Sequence, residues 1–171
     1  EKVLAEPALL EHIFPWEICP FFGELYRLLH LEYDVLEQPE NQAAYRRQIM
    51  ENLLACHTLS SVKTEYRASV VLVAFNKLEY TKLAVESLYK YTDFSRGDIE
   101  LILLDNGSTD GTAEYFDSLP AAKVIHLKYN VFGTQVSAYV AAGEYWVGFS
   151  NDAVATPHWL EQLIRCMDEN P

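Results

Sequence analysis

Asp98-Ile99-Glu100-Leu101-Ile102-Leu103-Leu104-Asp105-Asn106-Gly107-Ser108-Thr109-Asp110-Gly111-Thr112 is the stretch on which the fold of this chain turns. Its first half, Ile99 with the run Leu101 to Leu104, is short and apolar on both alternating faces. That pattern suits a strand buried between two layers, as in a parallel sheet. The run breaks at once into Asp105, Asn106 and Gly107. Gly107 permits a tight turn, and Ser108 or Thr109 is placed to cap a following helix with Asp110 in its first turn. A strand that delivers a carboxylate to a sheet edge and turns directly into a helix builds a crevice, because ligands of open α/β sheets sit at the carboxyl ends of the strands. Taken alone, Asp-Asn-Gly reads better as an ordinary Asx turn capping a helix.

The flanking sequence repeats the same alternation. Val70, Val71, Leu72, Val73 and Phe75 predict a buried strand ending at Asn76, followed by a helix with Tyr80, Ala84, Leu88 and Tyr91 on one stripe. After the central strand come a short helix through Tyr115 and Phe116 and a third strand, Lys123 to Leu127, leading to Asn130. Small residues from Thr134 to Ala142 predict a helix that Gly143 closes as a left-handed cap. Tyr145 to Phe149 predict a fourth strand ending in Ser150, Asn151 and Asp152. In the last helix Thr156 is the expected cap, Pro157 the first helical residue, and Leu160, Leu163, Ile164 and Met167 the buried stripe. The order β-α-β-α-β-α-β-α predicts an α/β fold, a mostly parallel sheet with helices on both faces.

Residues 1–66 differ in character. Apolar residues at helical spacing follow Pro7, Pro20 (Phe21, Leu25, Leu28) and Pro39 (Tyr45, Ile49, Leu53), which predicts an N-terminal helical extension of two or three amphipathic helices. Packing on the following domain is one reading, and a docking module carrying Phe14, Trp16, Phe21, Phe22 and Tyr26 is the other. Residues 67–171 form the expected second unit. The chain starts without methionine and stops at Pro171, directly after a helical pattern, so a piece of a longer protein is expected.

Half of the 171 residues are hydrophobic, which indicates a globular chain. The net charge of -12 argues against a nucleic-acid partner, which needs a basic footprint. A nucleotide remains compatible, since a metal or backbone amides hold its phosphates. Cys19, Cys56 and Cys166 are odd in number and widely spaced, so neither a zinc site nor a disulfide framework is implied. Reduced thiols in a cytoplasmic protein, working free or at the inner face of a membrane, are the simple reading. No apolar run approaches the ~18 residues of a membrane span.

Asn76, Asp105, Asn130 and Asp152 all stand at strand ends, and right-handed crossovers bring those ends to one edge. No dinucleotide fingerprint or Walker loop is present. The string Asp105-Asn-Gly-Ser-Thr-Asp-Gly-Thr112 after an apolar strand resembles the signature of family-2 glycosyltransferases, the GT-A-fold enzymes that transfer sugar from a nucleotide-sugar donor. The resemblance covers roughly residues 67–171. It implies that Ala74, Phe75 and Asn76 lie beside the nucleotide base and that Asp105 accepts a hydrogen bond from it. An ionised carboxylate is an acceptor only and suits an imide N–H such as that of uracil. Asn106, Asn130 and Asn151 complete the implied nucleotide site.

The family's second anchor is an acidic cluster after the fourth strand, which Ser150-Asn151-Asp152 resembles, with Thr156-Pro157-His158-Trp159-Leu160 fixing the register. Asp152 takes the position that binds the divalent cation, Mg²⁺ or Mn²⁺, bridging the donor diphosphate. Ser150 departs from the pattern, since a hydroxyl replaces the first carboxylate or amide. The loop from Asn130 to Gly143 is also short and lacks the family's basic residue. His126 and His158 read as structural, and Trp146 and Trp159 as core, with Trp159 close to the site.

The implied reaction is inverting transfer of the sugar to a sugar or lipid-linked acceptor hydroxyl, in polysaccharide or glycoconjugate synthesis. The base and acceptor surface of such enzymes lie downstream of the metal motif. The resemblance therefore places the catalytic base beyond Pro171 and assigns it to no residue of this chain. This fragment alone is expected to bind donor without turnover. Two other readings compete. One is a non-catalytic nucleotide-binding or interaction module that keeps the fold. The other is a nucleotidyltransferase, which needs a basic, Gly-rich loop where Ala74-Phe75-Asn76-Lys77-Leu78 stands.

Overall fold

The computed structural model describes residues 66–120, 123–130, 137, 138 and 140–170, together with the helical positions Ala44, Arg47, Gln48, Glu51, Asn52 and Ala55. Strands β1 (Tyr66–Ala74), β2 (Ile99–Asp105), β3 (Lys123–His126) and β4 (Gly143–Ser150) form one sheet in the order β3-β2-β1-β4. Every neighbouring pair is parallel. Helix α1 (Leu78–Tyr91) and a 3-10 turn (Phe94–Arg96) join β1 to β2, and α2 (Thr112–Asp117) joins β2 to β3. Helix α3 (Trp159–Glu169) follows β4. The passage from β3 to β4 crosses the sheet to the far side of β1. The winding direction therefore reverses beside β1, and at such a point a crevice opens outside the carboxyl ends of the strands.

The interior strands carry the core. Val70, Leu72 and Ala74 of β1, with Leu101 and Leu103 of β2, pack against Ala84, Val85 and Leu88 of α1, Phe116 of α2, Ala155 and Leu160. Val71, Ile102 and Leu104 point to the other face and are equally buried. Over that face lie the helical residues Ser137, Ala138 and Val140, where Trp146 Nε1 donates to Ser137 Oγ at 3.3 Å. Burying each large aliphatic side chain contributes about 1.5–3 kcal/mol. The apolar run of the Asp105 strand is thus explained by its interior place between β1 and β3.

Several local expectations are corrected. The buried stripe of α1 is Thr81, Ala84, Val85 and Leu88, whereas Tyr80 is exposed. Helix α2 starts only at Thr112, because Gly107 (φ 82°) and Gly111 (φ 92°) put two left-handed residues into the connection. Ser108, Thr109 and Asp110 are therefore loop residues. Helix α3 starts at Trp159, after a left-handed His158 (φ 63°), so Pro157 lies in a turn and Thr156 takes part through its carbonyl, which accepts the Trp159 N–H. Of its apolar stripe Leu160 is buried, Ile164 is half-buried, and Leu163 and Met167 are exposed.

Gly143 opens β4 instead of ending a helix. A Cβ there would stand 2.5 Å from the Ala68 carbonyl carbon and the Ser69 nitrogen, so close approach to β1 excludes a side chain. The expected helices after Pro7 and Pro20, the stripe Tyr45, Ile49 and Leu53, the segment 134–136 and Pro171 lie outside the described residues.

A polar network ties the amino ends of the strands. Buried Glu100 accepts hydrogen bonds from Ser69 Oγ (2.7 Å), the Ala142 N–H (3.2 Å) and Lys123 Nζ. The Gly143 N–H donates to Ser69 Oγ at 2.8 Å. The buried side chains of Glu100 and Ser69 are therefore both partnered, as burial requires. Beside it Arg67 pairs with Glu144 and Asp168 and covers the Tyr145 ring.

Candidate functional site

The turn between β1 and α1 holds two consecutive left-handed residues, Asn76 (φ 54°) and Lys77 (φ 63°). Asparagine visits that region readily and lysine does not, so the turn needs outside support. The loop after β2 supplies it. The Asn76 N–H donates to Ser108 Oγ (2.8 Å), the Thr109 N–H to Asn76 Oδ1 (2.9 Å), and the Leu78 N–H to Asp110 Oδ2 (2.9 Å). Ser108, Thr109 and Asp110 thus brace a neighbouring turn and the start of α1, a cross-loop role the sequence does not reveal. The Thr112 hydroxyl above all holds the Asp110 carboxyl below its ordinary value; burial opposes it, and the Leu78 and Thr112 amides add to the lowering.

Asp105 ends β2 and is 3% exposed. Its Oδ1 accepts the Ser108 N–H at 3.0 Å, while Oδ2 lies 3.7 Å from His126 Nδ1, beyond hydrogen-bonding distance. A buried carboxylate with one N–H partner retains acceptor capacity for another donor. His126 is held from its other side, Nε2 lying 2.9 Å from Asp117 Oδ1.

Next in sequence, the Asn106 N–H donates to the Ala74 carbonyl (2.8 Å) and Asn106 Nδ2 to Asn130 Oδ1 (2.6 Å). Asn106 Oδ1 is buried and has no partner among the described residues. Asp105, Asn106 and Asn130 therefore come together at the carboxyl edge, with Ala74 buried beside them and Phe75 43% exposed. A Cβ on Gly107 would stand 3.1 Å from the Lys128 carbonyl oxygen, so the loops after β2 and β3 are in close contact there.

Asn151 turns toward the scaffold. Its Nδ2 donates to the Asn76 carbonyl (3.2 Å) and to Thr81 Oγ1 (3.1 Å), which ties the loop after β4 to the start of α1. Asn76 is thereby joined to the loops after both β2 and β4. Ser150 and Asp152 are exposed, and the Ser150 hydroxyl donates to Asp152 Oδ1. No cluster of three or more His, Cys, Asp or Glu side chains exists among the described residues. One carboxylate with an adjacent hydroxyl suits a hard cation that takes its remaining ligands from phosphate and water, so this pair fits Mg²⁺ or Mn²⁺ held by a diphosphate. The catalytic base, expected beyond Pro171, falls outside the described residues, which end at Asn170.

Trp159 is displaced from the place expected for it. Its indole N–H donates to Thr92 Oγ1 at 3.0 Å, at the far end of α1, and its ring packs edge-on against Phe149. Two clefts, of about 660 and 280 Å³, also lie toward the amino ends of the strands, lined among others by Tyr91, Phe94 and Pro157 and by Arg67, Asp98 and Ile164. Neither includes a residue singled out for the nucleotide or the metal. Sequence reasoning missed Asn52, whose side chain reaches Lys128 and Tyr129. The available signal was a polar residue beside the predicted Ile49 and Leu53 stripe.

A wound parallel sheet with a nearly buried carboxylate at its carboxyl edge, and an exposed carboxylate–hydroxyl pair two strands away, marks the α/β class that takes ligands at this edge. Within that class the chain belongs to glycosyl transferase family 2, whose family model matches residues 69–171. The fold is GT-A-like. An uncharacterized glycosyltransferase of Haemophilus influenzae is 25% identical over 109 residues, which cover 60% of this chain and 33% of that protein. Residues 1–349 of Staphylococcus aureus TarS in complex with UDP-GlcNAc superpose with a TM-score of 0.50 at 25% identity, covering 60% of this chain and 31% of that one. The mannosyltransferase PcManGT of Pyrobaculum calidifontis, in complex with GDP-Man and Mn²⁺, shares the fold at 17% identity with a TM-score of 0.50, covering 73% of this chain and 40% of that one. This chain spans about a third of the length of the Haemophilus and TarS relatives. No helix among its described residues is long and apolar enough to cross a membrane.

Proposed function

We propose that this chain is the donor-binding half of an inverting glycosyltransferase that uses a uridine or deoxythymidine diphosphate sugar. The observation that carries the reading is Asp105, a nearly buried carboxylate whose Oδ1 accepts the Ser108 N–H while Oδ2 makes no hydrogen bond among the described residues, His126 Nδ1 standing 3.7 Å from it. An imide N–H of uracil or thymine supplies that donor. Ala74 and the exposed ring of Phe75 flank the base, Asn76 shapes the floor, and Asn106 with Asn130 closes the side next to Asp105. Asn151 holds the loop after β4 in place, so that Ser150 and Asp152 face the diphosphate. UDP-GlcNAc in the TarS complex is in keeping with a uracil donor.

Asp152, assisted by Ser150, holds the divalent cation in this reading, and the Mn²⁺ in the PcManGT complex is consistent with a cation in the fold. A cation bound there neutralises the charge of the leaving diphosphate. The acceptor is a sugar or lipid-linked hydroxyl, and the carboxylate base that deprotonates it is assigned to no residue of this chain. The division into a helical extension, 1–66, and a donor half, 67–171, and a cytoplasmic setting form part of the same proposal.

Calorimetric titration with UDP, with and without Mn²⁺, tests the reading on wild type and Asp152→Ala. Wild type should bind UDP more tightly with Mn²⁺, and Asp152→Ala should lose that metal dependence while keeping its melting temperature. UDP binding that is absent under all conditions would refute it.

A further inference from the structure

Asn52 lies outside the family-matched residues 69–171, yet it is 1% exposed. It stands on the helical stretch that precedes the sheet. The Lys128 N–H donates to Asn52 Oδ1 at 3.2 Å, and Asn52 Nδ2 donates to the Tyr129 carbonyl at 3.0 Å. A side-chain amide carries one acceptor and one donor group, so it engages this backbone as a neighbouring strand would. The adjacent residue adds an ion pair, Lys128 Nζ to Glu51 Oε2 at 2.8 Å.

The segment so held runs directly into the candidate site. Asn130 follows Tyr129, and its Oδ1 accepts the hydrogen bond from Asn106 Nδ2 at 2.6 Å. Asn106 is bonded to Asp105 in sequence and to the Ala74 carbonyl through its own N–H. The Lys128 carbonyl also packs close to Gly107, so a shift of this loop reaches the turn after β2 from a second side. Side-chain hydrogen bonds alternating with short backbone links thus join the N-terminal helix to the residues around Asp105.

We propose that Asn52 is a positioning residue of the donor site. It holds the loop after β3 so that Asn130 fixes Asn106 beside Asp105, and nucleotide affinity therefore depends on a helix outside the family domain. This inference rests on the donor-site reading above, and the test separates the two. The ion pair of Glu51 is exposed and contributes little, whereas the two hydrogen bonds of Asn52 are part-buried and come from a side chain in a residue 1% exposed.

The experiment uses the full chain and three variants, Asn52→Ala, the isosteric Asn52→Asp and the control Glu51→Gln. Asn52→Asp keeps an acceptor for the Lys128 N–H and places a carboxylate oxygen against the Tyr129 carbonyl. NMR side-chain amide signals of Asn106 and Asn130, and amide exchange at Lys128, are recorded without nucleotide and well below the melting temperature. Both Asn52 variants should shift the Asn106 and Asn130 signals, Asn52→Ala should also speed exchange at Lys128 because it removes the acceptor of that N–H, and Glu51→Gln should leave all of these near wild type. UDP affinity of the folded Asn52 variants should fall by about tenfold, the loss of about one buried hydrogen bond's contribution.

A lowered melting temperature with unchanged Asn106 and Asn130 signals would overturn the proposal, as would failure of both Asn52 variants to fold, since either outcome leaves only a structural role. If wild type binds no UDP, the donor-site reading fails while the NMR signals still decide whether Asn52 sets the Asn106–Asn130 contact.

Discussion

Replacing Asp105 by asparagine should change which base the chain prefers. In the native site the Ser108 N–H donates to Asp105 Oδ1 at 3.0 Å, and Oδ2 is the oxygen with no hydrogen bond of its own among the described residues. In Asp105→Asn the amide keeps its carbonyl oxygen toward the Ser108 N–H, because the reverse orientation would set two donors against each other. The NH₂ group then occupies the place of Oδ2. Uracil presents a donor at N3 and meets that NH₂ badly, whereas cytosine presents an acceptor there. Loss of the charge-assisted bond costs about 1–3 kcal/mol, so UDP should bind about 5- to 150-fold more weakly. CDP should bind at least as well as it does to wild type. The assay is calorimetry with UDP and CDP at fixed Mg²⁺, with circular dichroism showing that the variant is folded. An unchanged UDP to CDP affinity ratio in the folded variant would refute the role given to Asp105.

Three further outcomes follow from the same contacts. Gly143→Ala forces a Cβ to 2.5 Å from β1 backbone atoms, so it should destabilise the chain by about 1–3 kcal/mol, read as a lower urea midpoint. Asp110 has a folded pKa below its ordinary value of 3.8, so its contribution is fully present above that pH and is lost as pH falls through the lower folded value. The gap in urea midpoint between wild type and Asp110→Asn should therefore be seen at neutral pH and close in acid; a gap independent of pH would contradict this. Ser150→Asp should strengthen Mn²⁺ binding without nucleotide, since it puts a second carboxylate beside Asp152. Equal Mn²⁺ affinity in wild type and the variant would count against the Ser150–Asp152 pair.

The sheet was legible because its signals are local. Apolar runs at Val70–Val73 and Leu101–Leu104 can be buried on both faces only in interior strands, and they occupy β1 and β2. Gly107 marked the turn after β2 because only a left-handed residue fits there. The strand-end residues Asp105, Asn106 and Asn130 gather because parallel crossovers bring every carboxyl end to one edge.

Helix boundaries were less legible. Ser108 and Asp110 have the composition of a cap, but whether they cap α2 or brace the turn at Asn76 depends on a neighbouring loop that sequence order does not place. The stripe of α3 failed at Leu163 and Met167 for a related reason: periodicity shows an apolar face and not what lies opposite it. Gly143 misled because a missing side chain serves a helix end and a close strand pair equally. Asn52 could be noticed as a polar residue beside an apolar stripe, but its partners could not be read, since Lys128 and Tyr129 are 76 and 77 residues away.

The most direct test of the donor site is Mn²⁺-induced relaxation of backbone amide signals, recorded on the wild-type chain saturated with UDP. The expected result is broadening centred on Ser150 to Ala153 that reaches the turn at Phe75 and Asn76, accompanied by UDP-dependent shifts at Asp105, Asn106 and Asn130. Broadening centred instead on the acidic residues near the amino edge, such as Asp93 or Asp98, with Asp105 to Asn130 unshifted, would contradict it.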